Sequence, residues 1–276
     1  MSAPHVLLNN VLLPASAAHI PATSEGFLYG HGVFETIKVT ASRPAFLAQH
    51  HARLTASARA LDLPYAVSLD TLRERLARVI TANALTDGSA RITLFSADPA
   101  TTGELITVKA NAYPPETYTR GFRLHTVFTG ERTGALTAHK TLNYLANIRA
   151  KRGSLAAGFD EPLFLTPAGI VIEGATTNVF IVRDGIVHTP SLAGGPLPGI
   201  ARAQVLALLG PTRARESLLT HDDLRHSSEL FVTNALLGVM PVTQIDDRTL
   251  PVGPVTQALA SDYLALESRS LYPHLE

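Results

Sequence analysis

Residues 169–190 read GIVIEGATTNVFIVRDGIVHTP. Asp184-Gly185 stands there between two alternating apolar runs, and such a pair makes the two-residue turn that joins antiparallel strands most readily. The segment is predicted as a hairpin. Working outward, LPGIARAQVLALLG (197–210) reads as a Gly-containing loop opening a helix that ends at Gly210. SELFVTNALLGVMPV (228–242) reads as a buried strand running into a loop, and PVTQALASDYLALESRSL (254–271) as a closing amphipathic helix.

The first part of the chain has a different rhythm. HVLLNNVLLP (5–14) is two short apolar runs about Asn9 and Asn10, side chains that tolerate the left-handed backbone of a tight hairpin. GVFETIKVTASRPAFL (32–47) repeats the strand, turn, strand pattern. LAQHHARLTASARALDL (47–63) places Leu47, His51, Leu54, Ala58 and Leu61 on one helical face. Ser68 is predicted to cap a second helix carrying Leu69, Leu72, Leu76, Val79 and Ile80, and ARITLFSA (90–97) and LITVKANAY (105–113) follow as strands. An α+β unit is then complete, and NAYPPETYTRG (111–121) breaks regular structure with Pro114, Pro115 and Gly121. The expected division is therefore an N-terminal α+β domain over 1–115, an interdomain loop over 116–125 and a second domain over 126–276.

Composition narrows the function. A chain of 276 residues with 46% hydrophobic and 17% charged residues is globular. Twenty-three basic against 23 acidic residues leave no net field, so neither nucleic acid nor a membrane surface is the expected partner; a small metabolite is. The absence of cysteine excludes disulfides, thiolate metal sites and a thiol nucleophile. No apolar run approaches the ~18 residues needed to span a bilayer, and MSAPHVLLNNVLLPAS lacks the features of a secretory signal. The expected location is cytoplasmic.

Lys140 is followed by TLNYLANIRAKRGSLAAG, a helix candidate stopped by Gly158, so the lysine is expected just before that helix, near a strand end. A buried ammonium is costly and tends to shed its proton, and the neutral amine is what a Schiff base requires. A lysine taken alone is more often exposed, snorkelling off a helix end. Glu173 lies among strand formers, where an ionised carboxylate is expensive unless a cation or strong donor meets it. A protonated pyridine nitrogen is one such partner; a surface arginine, with the glutamate at a bulge beside Gly174, is the commoner one. PLPGIAR (196–202) offers backbone N–H groups at a Gly-preceded helix start, suited to phosphate. VTNALLGVMPV (232–242) adds a second loop, and Arg53 a fixed positive charge. No spacing of His50, His51 or His139 makes a zinc site, and there is no Walker loop, nucleophile elbow or dinucleotide fingerprint.

Taken in order, GFLYGHGVFETIKV, HHARL, KTLNYLANIRAKRG, the hairpin segment, LPGIAR and NALLGVMPV resemble the class IV aminotransferase family of pyridoxal-phosphate enzymes, over residues 26–242. The resemblance implies a two-domain α/β (α+β) chain of fold type IV, with a smaller N-terminal α+β domain and a larger C-terminal pseudo-barrel domain, the active site at the domain junction and a homodimer as the assembly. It also implies that Lys140 forms the Schiff base with pyridoxal 5'-phosphate and that Glu173 pairs with the ring nitrogen. Arg53 and the N–H groups of Ile200, Ala201, Asn234 and Ala235 would hold the phosphate, and Tyr144 would lie near the ring hydroxyl. Tyr29, Phe34, Lys38 and Arg91 would receive an amino substrate bearing a carboxylate.

Within the family, GFLYGHGVFET and especially NALLGVMPV look most like the 4-amino-4-deoxychorismate lyases, which release pyruvate and 4-aminobenzoate for folate synthesis. D-amino-acid aminotransferases place an arginine and a histidine in the loop where this chain has ADPATTGE (97–104). Branched-chain aminotransferases carry an extra residue between the lysine and NYL, absent here, yet Tyr29 and Arg91 sit where those enzymes bind the substrate carboxylate. A lyase is the first expectation and an aminotransferase the second. A non-catalytic vitamer-binding protein is a remote third, disfavoured by the retained lysine and glutamate.

Overall fold

Asp184 and Gly185 adopt φ of 51° and 74°, both in the left-handed region that a tight hairpin demands. Arg183 lies opposite Ile186 across the turn, as the sequence predicts. The computed structural model to which this turn belongs describes residues 4–98, 100–110, 113–130 and 135–272. Residue 99 of the ADPATTGE loop and residues 111–112 at the expected domain boundary lie outside the described residues. By internal contacts the chain divides into two units, one of 1–112, 140–143 and 267–276 and one of 113–139 and 144–266.

The first unit begins with β1 (His5–Leu8) and β2 (Val11–Pro14), joined at Asn9 and Asn10 with φ of 48° and 65°. Then come α1 (Glu25–Tyr29), β3 (Gly32–Thr40), β4 (Arg43–Pro44), α2 (Leu47–Ala60), α3 (Leu69–Ala82), β5 (Gly88–Asp98) and β6 (Thr101–Lys109). The sheet runs β2-β1-β6-β5-β3-β4. Alternation along β3 and β5 turns Ile37, Ala90, Ile92 and Leu94 into one core with Leu54 and Ala58 of α2 and Leu72, Leu76, Val79 and Ile80 of α3. Ser68 caps α3 as expected, accepting the Thr71 N–H at 3.1 Å. On α2 the buried face carries His50 rather than His51. The difference is about 100° of helix rotation, and it decides which imidazole meets the sheet.

The second unit contains α4 (Pro115–Arg120), β7 (Phe122–Phe128), α5 (Leu145–Ala156), β8 (Glu161–Leu165), β9 (Val171–Gly174), β10 (Asn178–Arg183), β11 (Ile186–Pro190), α6 (Ile200–Arg213), β12 (Ala214–Ser217), α7 (His221–His226), β13 (Glu229–Asn234), β14 (Gly238–Ile245), β15 (Arg248–Thr249) and α8 (Pro254–Ser270), whose last residues from Glu267 count with the first unit. Its curled sheet runs β12-β11-β10-β13-β14-β7-β8-β9, with β15 on β14. Residues 116–125, expected as an interdomain loop, instead carry α4 and the start of β7. The proline and glycine bound a short helix there rather than interrupt regular structure. Pro115 starts α4, where a missing N–H costs nothing, and Gly121, at φ 74°, ends it. Gly210 leaves the helical region within α6, at φ 67° and ψ 174°, where the sequence predicts that helix to end. Among the described residues no helix is long and apolar enough to cross a membrane.

Candidate active site

In the second unit the site is organised around residues 173–178. Glu173, at the end of β9 and only 5% exposed, accepts the Leu197 N–H at 2.9 Å and a longer bond from Asn178 Nδ2 at 3.4 Å. Asn178 Nδ2 also donates to the Leu197 carbonyl at 2.9 Å. These bonds fix the segment that leads into α6. Thr177 O accepts the Gly174 N–H at 2.7 Å and closes the turn. The turn rests on Glu161, fully buried, whose Oε1 accepts the Thr176 N–H at 2.6 Å and whose Oε2 pairs with Lys151. A buried carboxylate stripped of such partners would cost several kcal/mol, so Glu161 is committed to holding this turn.

The same turn collects the other residues. Tyr144 OH donates to the Ala175 carbonyl at 2.9 Å, and Asn147 Nδ2 donates to it at 2.8 Å. Asn234 Nδ2 donates to Thr176 O at 3.2 Å, while Asn234 Oδ1 accepts the N–H groups of Leu236 and Leu237 and so shapes the turn that contains Ala235. Glu173, Tyr144, Asn234 and the segment ahead of Ile200 and Ala201 are thereby brought to one place. Gly199, the residue before α6, supplies no side-chain cap, and a helix start without a capping oxygen leaves its first N–H groups to an anion. A buried carboxylate beside such donors suits a group with a protonated ring nitrogen and a phosphate. The donor set therefore fits pyridoxal phosphate.

Gly199 matters sterically. A Cβ there would lie 2.0 Å from Asn178 Oδ1, a distance no packed atoms tolerate. Gly199→Ala is expected to displace Asn178 and the segment it holds, weakening pyridoxal-phosphate binding about tenfold. Titration of the apoprotein by absorbance checks this, and unchanged affinity would contradict it.

In the first unit, Lys140 lies on an extended segment ahead of α5, which begins at Leu145, as the sequence predicts. The Lys140 carbonyl accepts the Phe34 N–H at 2.8 Å, Thr141 bridges Val33 antiparallel, and the Leu142 N–H reaches Gly32 O at 3.0 Å. Gly32 permits the approach, because a Cβ there would sit 2.4 Å from the Leu94 carbonyl and 2.6 Å from Leu142 Cδ1. The lysine Nζ stands 4.4 Å from the centre of the buried Phe34 ring, and the Arg91 guanidinium carbon 3.6 Å from the same centre. One aromatic ring thus orients both cations. Asn143 Nδ2 donates to Gly30 O at 3.3 Å, tying this segment to the end of α1, where Tyr29 is 71% exposed. Lys38 donates to Glu267 Oε1 at 2.6 Å.

Arg53 forms a two-pronged pair with Glu35, Nε to Oε1 at 2.7 Å and Nη2 to Oε2 at 2.7 Å, and His50 Nδ1 lies 2.7 Å from the same Oε2. Burial alone would push the Glu35 carboxyl up, but the Arg53 charge and the bonds from Arg53 and His50 outweigh it and hold it at about 2. Glu35 and Glu161 are the residues sequence reasoning missed. For Glu35 a signal existed: it occupies an inward position in the alternation Val33, Glu35, Ile37, Val39, and an inward carboxylate calls for a cation on the helix above it.

Comparison with known proteins gives these two arrangements a common context. The description of the family Amino-transferase class IV matches residues 32–245. A Methanocaldococcus jannaschii protein provisionally named a branched-chain-amino-acid aminotransferase is 30% identical over 96% of this chain and 96% of its own. The aminodeoxychorismate lyase of Bacillus subtilis is 29% identical over 88% of this chain and 87% of its own. The crystal structure of the branched-chain aminotransferase of the archaeon Thermoproteus uzoniensis, with norvaline, superposes with a TM-score of 0.89 at 27% identity, covering 100% of this chain and 98% of that one. With the family match spanning both sheets and the segments that carry Lys140 and Glu173, the chain belongs to the class IV aminotransferases, two-domain enzymes of fold type IV that depend on pyridoxal phosphate.

Proposed function

We propose that the enzyme is a 4-amino-4-deoxychorismate lyase, releasing pyruvate and 4-aminobenzoate. The observation that carries this reading is the β13–β14 connection, NALLGVMPV, the segment most like the lyases. Asn234 closes that turn on itself and Leu237 is buried in the core beneath it, so the loop would offer main-chain groups rather than charged side chains to a ligand. The Bacillus subtilis lyase matches at nearly the identity of the Methanocaldococcus relative.

Pyridoxal phosphate, when bound, supplies an aldehyde that condenses with amines and a ring that stores the electron pair released at the neighbouring carbon. Lys140 Nζ would hold that aldehyde, and as a free amine it would be the base for the proton on the substrate's amine-bearing carbon. Phe34, against which Nζ packs, limits where that amine can move. Glu173 holds the proton on the ring nitrogen. Arg53 and the N–H groups of Ile200, Ala201, Asn234 and Ala235 would hold the phosphate, and Tyr144, oriented by its bond to Ala175 O, would serve the ring hydroxyl. Arg91 and Lys38, the latter beside Glu267, would receive the substrate's carboxylates. Tyr29 lines the substrate side. As the proton leaves, the bond to the enolpyruvyl oxygen breaks, and aromatisation of the product ring makes the step effectively irreversible.

A second reading, an aminotransferase acting on branched-chain amino acids, is supported by the names of the Methanocaldococcus relative and of the solved Thermoproteus structure, and by Tyr29 and Arg91. The two differ in one requirement. Pyruvate and 4-aminobenzoate should appear from 4-amino-4-deoxychorismate with no keto acid added, at an ordinary turnover of roughly 1 to 10 per second. No release, together with amino transfer from a branched-chain amino acid to a keto acid, would sink the lyase and establish the second reading.

A further inference from the structure

Glu35 occupies a place where a carboxylate is costly. It sits on the helix-covered face of its sheet, between Val33 and Ile37, and is 1% exposed. An apolar residue of similar volume would cost nothing there, and replacing buried ion pairs by apolar groups is often neutral or stabilising. Its three short bonds nevertheless use both of its oxygens. His50 and Arg53 are three residues apart on one face of α2, so a single carboxylate beneath the helix meets both.

We propose that Glu35 is the positioning residue of the phosphate grip: gripping the Arg53 guanidinium along one edge, and itself held by His50, it fixes the plane in which Arg53 presents N–H groups to the cofactor's phosphate. This rests on the reading of Arg53 as a phosphate ligand. The physical grounds are geometric. An arginine side chain has four flexible torsions and loses much of its binding strength when it must be ordered by the ligand. A parallel pair of bonds from Nε and Nη2 fixes the guanidinium plane beforehand. The second consequence is electrical. With Glu35 against it, Arg53 contributes less net charge and more directed hydrogen bonding to an anion, a role that lysine cannot fill.

The test compares two ligands of the apoprotein, pyridoxal phosphate and pyridoxal, which share ring and aldehyde and differ only in the phosphate. The ratio of their dissociation constants, measured by absorbance titration, isolates the phosphate's contribution and does not depend on the fraction of protein folded. Glu35→Gln keeps shape and volume but removes the charge; it is expected to shrink that ratio about tenfold while leaving pyridoxal binding unchanged, the scale of one charge-assisted hydrogen bond. Equal weakening of both ligands, or an unchanged ratio beside a reduced one in Arg53→Ala, would overturn the proposal while leaving Arg53 as a phosphate ligand. An unchanged ratio in Arg53→Ala itself would remove the reading on which the proposal stands. Should Glu35→Gln give no soluble apoprotein, His50→Leu takes its place, since it frees one carboxylate oxygen and leaves the Arg53 pair. A drop of about threefold is then expected, and no drop counts against the proposal.

Discussion

Replacing Lys140 by alanine should lower turnover of the amino substrate by about four orders of magnitude or more, because one side chain is assigned both the covalent anchor and the proton transfer. The fold should survive the change. Residues 140–142 are held to β3 through main-chain bonds, Phe34 N–H to Lys140 O and Leu142 N–H to Gly32 O, and neither bond involves the ammonium. The substitution gives up the contact of Nζ with the Phe34 ring, worth roughly 0.5–1 kcal/mol. Stopped-flow or steady-state assay of purified variant and wild type, with circular dichroism to confirm folding, gives the answer. A well-folded variant with wild-type turnover would end the assignment of Lys140, and so would retention of a borohydride-reducible absorbance band at full intensity.

Glu173→Gln is expected to have the next largest effect, a fall in kcat of about a hundredfold or more with little change in KM. The amide is nearly isosteric with the carboxylate and can still accept the Leu197 N–H through its oxygen, so the packing at the end of β9 is preserved. On the proposed reading, what is lost is the negative charge that would keep a proton on the cofactor's ring nitrogen. Without that proton the ring is a poorer store for electrons at the moment the substrate carbon is deprotonated, a deficit felt in the transition state rather than in binding. The kinetic signature is therefore a split between kcat and KM. A loss confined to KM, or smaller than about tenfold in kcat, would show that Glu173 is a structural carboxylate serving Leu197 and Asn178.

What could be read from the sequence was what depends on near neighbours. The turns at Asn9-Asn10 and Asp184-Gly185 and the Ser68 cap of α3 each follow from a few adjacent residues, and all formed as predicted. The register of α2 was less legible, because a helix face read from apolar spacing alone has no way to choose between adjacent histidines; Glu35, fifteen residues earlier, makes the choice for His50. Lys140 was legible as a residue just before α5 and near a strand end, but the strand it joins was not, since the pairing of 140–142 with β3 joins segments more than a hundred residues apart. Glu161 was invisible for a related reason. Its role lies in the main-chain N–H of Thr176 and the hydroxyls of Thr176 and Thr177, contacts that no hydrophobic pattern records.

The main-chain attachment of residues 140–142 to β3 carries an evolutionary consequence. Since main-chain bonds hold this segment to the strand whatever side chain residue 140 bears, selection for a well-folded chain reaches the lysine only through side-chain contacts such as that with Phe34, and on the proposed assignment selection for chemistry is the stronger pull. A descendant relieved of that chemistry would lose the lysine by a single codon change and keep its strands and its turns intact. Such an inert copy would superpose on its working relatives as well as this chain does. On that assignment the identity of one residue, and not the fold, would separate an enzyme from its silent twin.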